Sequence, residues 1–199
     1  IDRIDTFTIP EVARMMGRGK TYFISTYGCQ ANERDSETLA GILDELGFTP
    51  NETAEGSDVI IINTCAIRQN AEEKVLGEIG NFKRLYRENK DLIIGVCGCM
   101  AQEEGLVETL LTKYPQVRLL FGTHNIQELP SMLYSCMFEG KKVVKIYSKE
   151  GEVYENLPVH RFGTFKAWVN IMYGCDKFCT YCIVPYTRGK QRSRKMSEI

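Results

Sequence analysis

Val59-Ile60-Ile61-Ile62-Asn63-Thr64-Cys65 is the stretch on which the fold turns. Four β-branched apolar residues in succession, with no polar alternation, describe a strand covered on both faces, the usual state of a strand inside a parallel sheet. Upstream, Leu39, Ile42, Leu43 and Leu46 fall at i, i+3, i+4 and i+7 and predict a helix that starts at an Asn32 cap and stops at Gly47. Before it lies a strand over residues 22–26 that runs into Tyr27-Gly28-Cys29-Gln30. Downstream, Ala71, Val75, Ile79, Phe82 and Leu85 form one helical stripe, followed by a strand over 92–96 that runs into Cys97-Gly98-Cys99. A helix from about Gln102 to Lys113, closed by Tyr114-Pro115, a strand over 118–122, a helix around 126–138 and a strand over 142–147 continue the pattern. Alternation of buried strands with amphipathic helices predicts an α/β domain, a parallel Rossmann-like sheet with helices on both faces, over residues 21–147.

The flanks read differently. Residues 1–20 have no sustained periodicity and are expected to form a loosely packed extension. Gly19-Lys20-Thr21 is not a phosphate loop, because the motif needs glycine where Arg14 stands and must follow a strand rather than precede one. Residues 148–161 lose the periodicity and contain Pro158, so they read as a linker. Residues 165–173 predict the first strand of a second domain beginning at 162, ending at a cysteine loop as a barrel strand ends at its active-site face. No run is long and apolar enough for a membrane span, and the first twenty residues carry Asp2, Asp5 and Glu11 without an apolar signal core. A cytoplasmic protein is expected, with its eight cysteines reduced and open to metal. The net charge of −1 hides an asymmetry: from His160 onward eight Lys or Arg face two acidic residues, leaving 17 against 24 in residues 1–159. The basic run Arg188 to Lys195 is therefore a candidate phosphate-contacting segment, the alternative being a solvated charge run.

Six of the cysteines fall in two threes. Cys29, Cys65 and Cys99 each directly follow a different strand, so a parallel sheet sets all three at its carboxyl edge, where open α/β sheets bind ligands. Neighbouring strands are about 4.8 Å apart, so thiols 36 and 34 residues apart in sequence can still meet. Cys97 has an equal claim by spacing to the third place, and Cys136, beside Met132, Leu133 and Met137 on a helical face, reads as core. The second three, Cys175, Cys179 and Cys182, have the spacing C-x3-C-x2-C just after an apolar, β-branched run. Thiolates select iron–sulfur clusters, zinc or Cu(I). A closed zinc site wants four ligands, commonly two C-x2-C pairs, and no second pair stands nearby. A [4Fe–4S] cube held by three cysteines keeps one iron open.

The words around these cysteines resemble a family. Gly174-Cys175-Asp176-Lys177-Phe178-Cys179-Thr180-Tyr181-Cys182-Ile183-Val184-Pro185-Tyr186-Thr187-Arg188-Gly189 resembles the cluster motif of the radical S-adenosylmethionine (SAM) enzymes, and within them the methylthiotransferases. Thr26-Tyr27-Gly28-Cys29-Gln30-Ala31-Asn32, Asn63-Thr64-Cys65-Ala66-Ile67-Arg68 and Gly98-Cys99-Met100-Ala101-Gln102 are similar to that family's amino-terminal domain, and the middle word looks most like the MiaB branch, which modifies tRNA. The resemblance implies an auxiliary [4Fe–4S] cluster on Cys29, Cys65 and Cys99, the last chosen over Cys97 on resemblance alone. It implies a second [4Fe–4S] cluster on Cys175, Cys179 and Cys182, whose open iron chelates SAM, with Tyr181 near the adenine and no protein acid or base. The implied reaction takes one electron from a small-protein or reductase donor and cleaves SAM to a 5′-deoxyadenosyl radical. That radical takes hydrogen from C2 of N6-isopentenyladenosine next to the anticodon, and the auxiliary cluster supplies sulfur that a second SAM methylates. A tRNA loop suits this, since its bases can be splayed out and read. A barrel needs roughly 200 residues, so the chain is expected to hold only the first strand and cluster loop of one, and to be inactive alone. Two rivals are a methylthiotransferase acting on threonylcarbamoyladenosine in tRNA or on a ribosomal protein, and a non-enzymatic electron carrier or zinc-stabilised nucleic-acid-binding module. The Asn-Thr-Cys-Ala-Ile-Arg word disfavours the first rival by analogy.

Overall fold

The computed structural model describes residues 4–65, 69–146 and 153–199. In chain order the elements are β1 (Ile4–Thr6), β2 (Thr21–Thr26), α1 (Gln30–Glu45), β3 (Thr49–Pro50), β4 (Val59–Thr64), α2 (Gln69–Glu88), β5 (Ile93–Gly98) and α3 (Glu104–Lys113). They continue with β6 (Val117–Phe121), α4 (Leu129–Phe138), β7 (Val143–Lys145), β8 (Val153–Glu155), β9 (Met172–Tyr173), α5 (Val184–Arg188) and β10 (Arg192–Ser193). One sheet runs in the order β3-β2-β4-β5-β6-β7 with every neighbouring pair parallel. Chain order reverses about β2, since β3 flanks it on one side and β4 on the other, so the topological switch point lies between β2 and β4.

The uniform apolar run of β4 is explained by two cores. Val59 and Ile61 join Leu39, Ile42 and Leu43 of α1 and Leu133 of α4 on one face. Ile60 and Ile62 join Val75, Ile79 and Phe82 of α2 and Leu110 of α3 on the other. The four apolar side chains of β4 are buried, each contributing about 1.5–3 kcal/mol of transfer free energy. None of the helices is long and apolar enough to cross a membrane, among the described residues.

Several expectations need correction. β3 escaped prediction because it is two residues long and ends on Pro50, which cannot donate to a ladder and is tolerated only at an edge. The cap of α1 is Cys29, not Asn32; Asn32 stands at the third helical position and its Oδ1 accepts the Cys29 N–H at 3.4 Å, closing a capping box. The third and fourth helices start later than expected, each behind a tight 3₁₀ turn, Cys99–Gln102 and Thr123–Glu128.

The flanks are anchored rather than loose. β1 pairs parallel with β8, Ala13 is fully buried, and Phe7, Ile9 and Met16 pack on the α1/α4 core, their spacing irregular because no helix or strand carries them. Of the expected linker, residues 148–152 lie outside the described residues, as do Tyr147 and residues 66–68. Of the rest, 153–155 form β8, and 158–160 are strapped to α1: a side chain at Gly41 would collide with the Pro158–Val159 backbone at 2.5 Å, and His160 N–H donates to Glu37 O at 2.9 Å. The strand expected over 165–173 is reduced to β9, antiparallel to β10. A strand exists through its ladder; the last rung is Arg194 N–H to Ile171 O at 3.0 Å, no strand pairing is assigned to 165–171 among the described residues, and Phe165, Val169 and Ile171 are exposed.

Candidate metal centre

The register Thr26↔Asn63↔Cys97, with Thr64↔Gly98, brings the ends of β2, β4 and β5 level. Cys29 caps α1, Cys65 follows β4 directly, and Cys99 opens the turn after β5. Two glycines let these ends close up. Gly28 has φ +143°, and a Cβ there would lie 2.5 Å from Cys65 Cβ; Gly98 has φ +99°, and a Cβ there would lie 2.2 Å from Thr64 O. Cys29 and Cys99 line one cavity of about 290 Å³, which Trp168, Met172, Tyr173 and Ile183 also line. Cys65 is buried behind Gly28.

Below the thiols runs a buried polar network. Asn32 Nδ2 donates to Asn63 Oδ1 at 3.1 Å and to Thr64 O at 2.8 Å. Asn63 Nδ2 returns to Asn32 O and to Ser36 Oγ, both at 2.9 Å, and Ser36 Oγ meets Thr26 Oγ1 at 2.7 Å. Thr64 Oγ1 donates to Cys97 O at 2.6 Å. The strand ends are thereby tied to one another and to α1. Neither Asn32 nor Asn63 declares this role in the sequence, beyond the one signal of an asparagine closing an apolar strand.

Cys97 and Cys99 separate cleanly. Cys97 lies within β5 and belongs to the α1/α4 core, where burial pushes its thiol well above the ordinary range, with Asp35 and Cys99 adding to the rise. Burial also raises Cys99, but the Arg188 charge opposes it, as do hydrogen bonds from Arg188 and Thr187. Cys136 is core, as expected, its Sγ 3.6 Å from Arg118 O.

The second three sit on a looser frame. Cys175 N–H donates to Gly189 O at 3.0 Å and Cys182 N–H to Cys179 O at 2.9 Å; Cys175 and Cys182 are half-buried and Cys179 is exposed. Gly174 permits this, since a Cβ there would lie 2.1 Å from Lys190 O. Phe178 adopts φ +45°, unusual for a non-glycine residue, with its ring edge-on to Tyr186 at 6.0 Å. Tyr181 is 89% exposed, away from the residues that line the thiol cavity.

For three arginines the phosphate-contacting reading of Arg188 to Lys195 is overturned. Arg188 pairs with Asp35 at 2.7 Å, Arg194 with Glu155 at 2.6 Å, and Arg192 is buried, donating to Arg188 O at 3.2 Å. Arg161 reaches Glu37, and Lys166 and Trp168 Nε1 reach Glu33 at 3.1 and 2.9 Å. Four of the eight basic residues that follow His160 thus pair with acidic residues of 1–159, so about half of that basic excess is met inside the fold.

Among the described residues no group of three Cys, His, Asp or Glu side chains is arranged to hold a single metal ion. A cube asks for something else: each thiolate takes a different iron, so its ligands ring a cavity instead of meeting at a point. Two of the three thiols, Cys29 and Cys99, line the 290 Å³ cavity, the kind of spread donor set a cube takes, whereas a closed structural zinc site draws its four ligands together at one point.

A parallel α/β domain with thiols at the carboxyl edge, joined to a short cysteine loop, is the class of protein these elements define. Residues 21–122 match the model of Uncharacterized protein family UPF0004, and the chain belongs to that family. It is 58% identical over 193 residues to a tRNA-2-methylthio-N(6)-dimethylallyladenosine synthase of Bacillus cytotoxicus, covering 97% of this chain and 38% of that protein. Proteins of the same name from Geobacillus thermodenitrificans (56% over 199 residues, 100% of this chain) and Staphylococcus saprophyticus (58% over 195 residues, 98% of this chain) are likewise similar. The chain spans 38% of the length of these curated relatives.

Proposed function

We propose that this chain supplies the sulfur-donor domain and the cluster loop of a radical SAM methylthiotransferase that converts N6-isopentenyladenosine next to a tRNA anticodon into its 2-methylthio form. The observation that carries the reading is the cavity shared by Cys29 and Cys99, backed by Cys65 and walled by the segment that leads into Cys175. The name the relatives carry supports the substrate and the sulfur insertion. In this reading Cys29, Cys65 and Cys99 hold one [4Fe–4S] cluster and Cys175, Cys179 and Cys182 another, each a ligand short. When bound, the clusters and SAM supply the electron and radical chemistry.

The chain's own residues do the placing. The Asn32–Asn63 network holds the strand ends level, and Arg188, paired with Asp35 at 2.7 Å, lines the cavity beside Cys99. Trp168 and Tyr173 offer flat apolar surface to a base extruded from the anticodon loop. Tyr181, exposed on the loop, is available to the adenine of SAM. A cytoplasmic setting keeps the thiols reduced, and a small-protein or reductase donor delivers the electron.

Anaerobic reconstitution tests the reading. About eight irons and eight sulfides per chain are expected, four for each cube, with Cys65→Ala and Cys175→Ala each halving the count. In the full-length enzyme Cys175→Ala should abolish SAM cleavage, whereas Cys65→Ala should keep cleavage and lose sulfur insertion. A colourless protein with stoichiometric zinc, or normal thiomethylation by Cys65→Ala, overturns it.

A further inference from the structure

Resting on that reading, we propose that Arg34 is a phosphate site: its guanidinium, which the protein leaves without an acceptor, takes a backbone phosphate of the RNA beside the nucleotide whose base enters the thiol cavity.

Arg34 lies on α1 among three carboxylates, Glu33, Asp35 and Glu37, and each is taken. Glu33 accepts from Lys166 and Trp168 Nε1, Asp35 holds Arg188, and Glu37 holds Arg161. Among the described residues the Arg34 guanidinium makes no hydrogen bond and no ion pair, and its Nε is buried without a partner. Burial weakens its hold on the proton, and the Asp35 charge restores it only in part. A charged donor buried without an acceptor is costly. Arg161, Arg188 and Arg194 avoid that cost, since each faces a carboxylate. Arg34 departs from them, and an anion from outside the chain removes the difference.

The surroundings fit an oxyanion. Arg34 lines a small cavity of about 50 Å³ together with Arg188, Arg192, His124, Gln127 and Asn170. Asp35 is the one carboxylate among the lining residues, so three arginines leave two positive charges in excess. Arg188 and Arg192 have acceptors within the protein and add charge, whereas Arg34 has donors to give. About 10–15 Å³ of such volume holds one water, so 50 Å³ takes a group of a few oxygens and not a nucleotide. A phosphate matches, because its oxygens accept from a guanidinium in pairs and its charge meets the excess. Arg34, Asn170 and Tyr173 also line the 290 Å³ cavity of Cys29 and Cys99, so a base held there brings its own phosphodiester to the smaller one. Such a contact carries no sequence information and fixes register. The phosphate contact expected over Arg188 to Lys195 thus falls on an arginine outside that run, concealed in the sequence between Glu33 and Asp35.

Two arms test the site and its source. In the first, this chain is melted in inorganic phosphate and in chloride at one ionic strength. The thermal midpoint is expected to rise with phosphate and saturate, by about 3–6 °C at roughly tenfold the dissociation constant, and Arg34→Gln is expected to lose the rise. In chloride Arg34→Gln should melt no lower than the parent, since it keeps much of the stem and removes an unpaired charge. A variant that unfolds there would show that the guanidinium has a partner in the protein, and overturns the proposal. In the second arm the full-length enzyme binds a fluorescent anticodon stem-loop RNA over a salt series. Arg34→Gln is expected to weaken binding about tenfold and to reduce the slope of log affinity against log salt by about 0.7, one phosphate on a single strand. Arg34→Lys should keep the slope. A methylphosphonate in place of one of the phosphates flanking the target nucleotide should cost the parent the same factor and cost Arg34→Gln nothing more. Unchanged midpoints in phosphate together with unchanged RNA affinity overturn the proposal and leave the functional reading standing. A phosphate effect on the midpoint with RNA binding untouched identifies a free-anion site and overturns the RNA assignment. If the RNA responds and the midpoint does not, the methylphosphonate decides. A parent enzyme that leaves the RNA unbound overturns both readings.

Discussion

Replacing Asn32 with alanine should remove roughly 2–6 kcal/mol of stability while leaving both apolar cores intact. The side chain is fully buried, and its Nδ2 serves two acceptors, Asn63 Oδ1 and Thr64 O. Truncation orphans both, at about 1–3 kcal/mol each. The better helix propensity of alanine returns at most about 0.7 kcal/mol, and loss of the capping contact to Cys29 N–H works the other way. Against a total of about 5–15 kcal/mol, this is a large fraction. In urea, with an m-value of about 1–3 kcal/mol/M, the far-ultraviolet circular dichroism midpoint should fall by on the order of 1–3 M with m unchanged. Asn32→Asp is the control: it keeps the size, replaces the Nδ2 donor by an acceptor facing two other acceptors, and should lose more than alanine does. An Asn32→Ala midpoint equal to the parent's, or an Asn32→Asp as stable as the parent, would refute the claim that this amide holds the strand ends.

Three further outcomes are expected. Gly98→Ala, which puts a Cβ 2.2 Å from Thr64 O on a residue at φ +99°, should cost about 1–3 kcal/mol in strain alone, read as a lower thermal midpoint; an unchanged midpoint counts against the geometry. Cys97→Ala should leave the iron content of the reconstituted chain unchanged, whereas Cys99→Ala should halve it; the reverse result would exchange their roles. Burial raises the Glu78 carboxyl, only partly offset by hydrogen bonds from Tyr27 and Ser25, and its Oε2 is buried without a partner. The folded chain therefore holds this proton more tightly than the unfolded one, so its contribution is full below about pH 4.3 and is lost as pH rises through the folded value. Glu78→Gln should be more stable than the parent at pH 8, with the gap closing toward pH 4 in urea titrations; a gap that widens on acidification would be the wrong sign.

The sheet was legible because β4 has no polar alternation and its flanking helices carry full stripes, so five strands and four helices could be placed from spacing alone. The carboxyl-edge position of Cys29, Cys65 and Cys99 followed from strand order without knowledge of any contact. Long-range contacts with no local period stayed hidden. Residues 4–20 are held by scattered apolar side chains and by pairing with β8, which starts 149 residues after β1 does. The run 165–170 has strand composition but no assigned strand pairing among the described residues, and composition cannot supply one. The basic run looked like a nucleic-acid contact because its acceptors, Asp35 and Glu155, are 153 and 39 residues away from their arginines. A charge count can detect such an imbalance, but not whether it is met inside the fold.

Cys97 and Cys99 show where local geometry outweighs periodicity. In a strand that continued, residues two apart would share a face, and both thiols would enter the α1/α4 core together. Gly98 prevents this: with φ +99° and ψ −166° it ends the strand and turns the chain into the 3₁₀ segment that begins at Cys99. Cys97 stays paired with Asn63 and Phe121, while Cys99 emerges on the cavity beside Arg188. A side chain at position 98 would strike Thr64 O and Asn63 Oδ1, the same groups that Asn32 binds, so the turn that exposes Cys99 and the network that levels the strand ends occupy one volume. Loosening either should therefore release the other. The Gly98→Ala and Asn32→Ala losses, measured singly and together, should fall short of additivity by 0.5 kcal/mol or more, the range found for residues that share partners. Simple addition would mean that the turn and the network act separately.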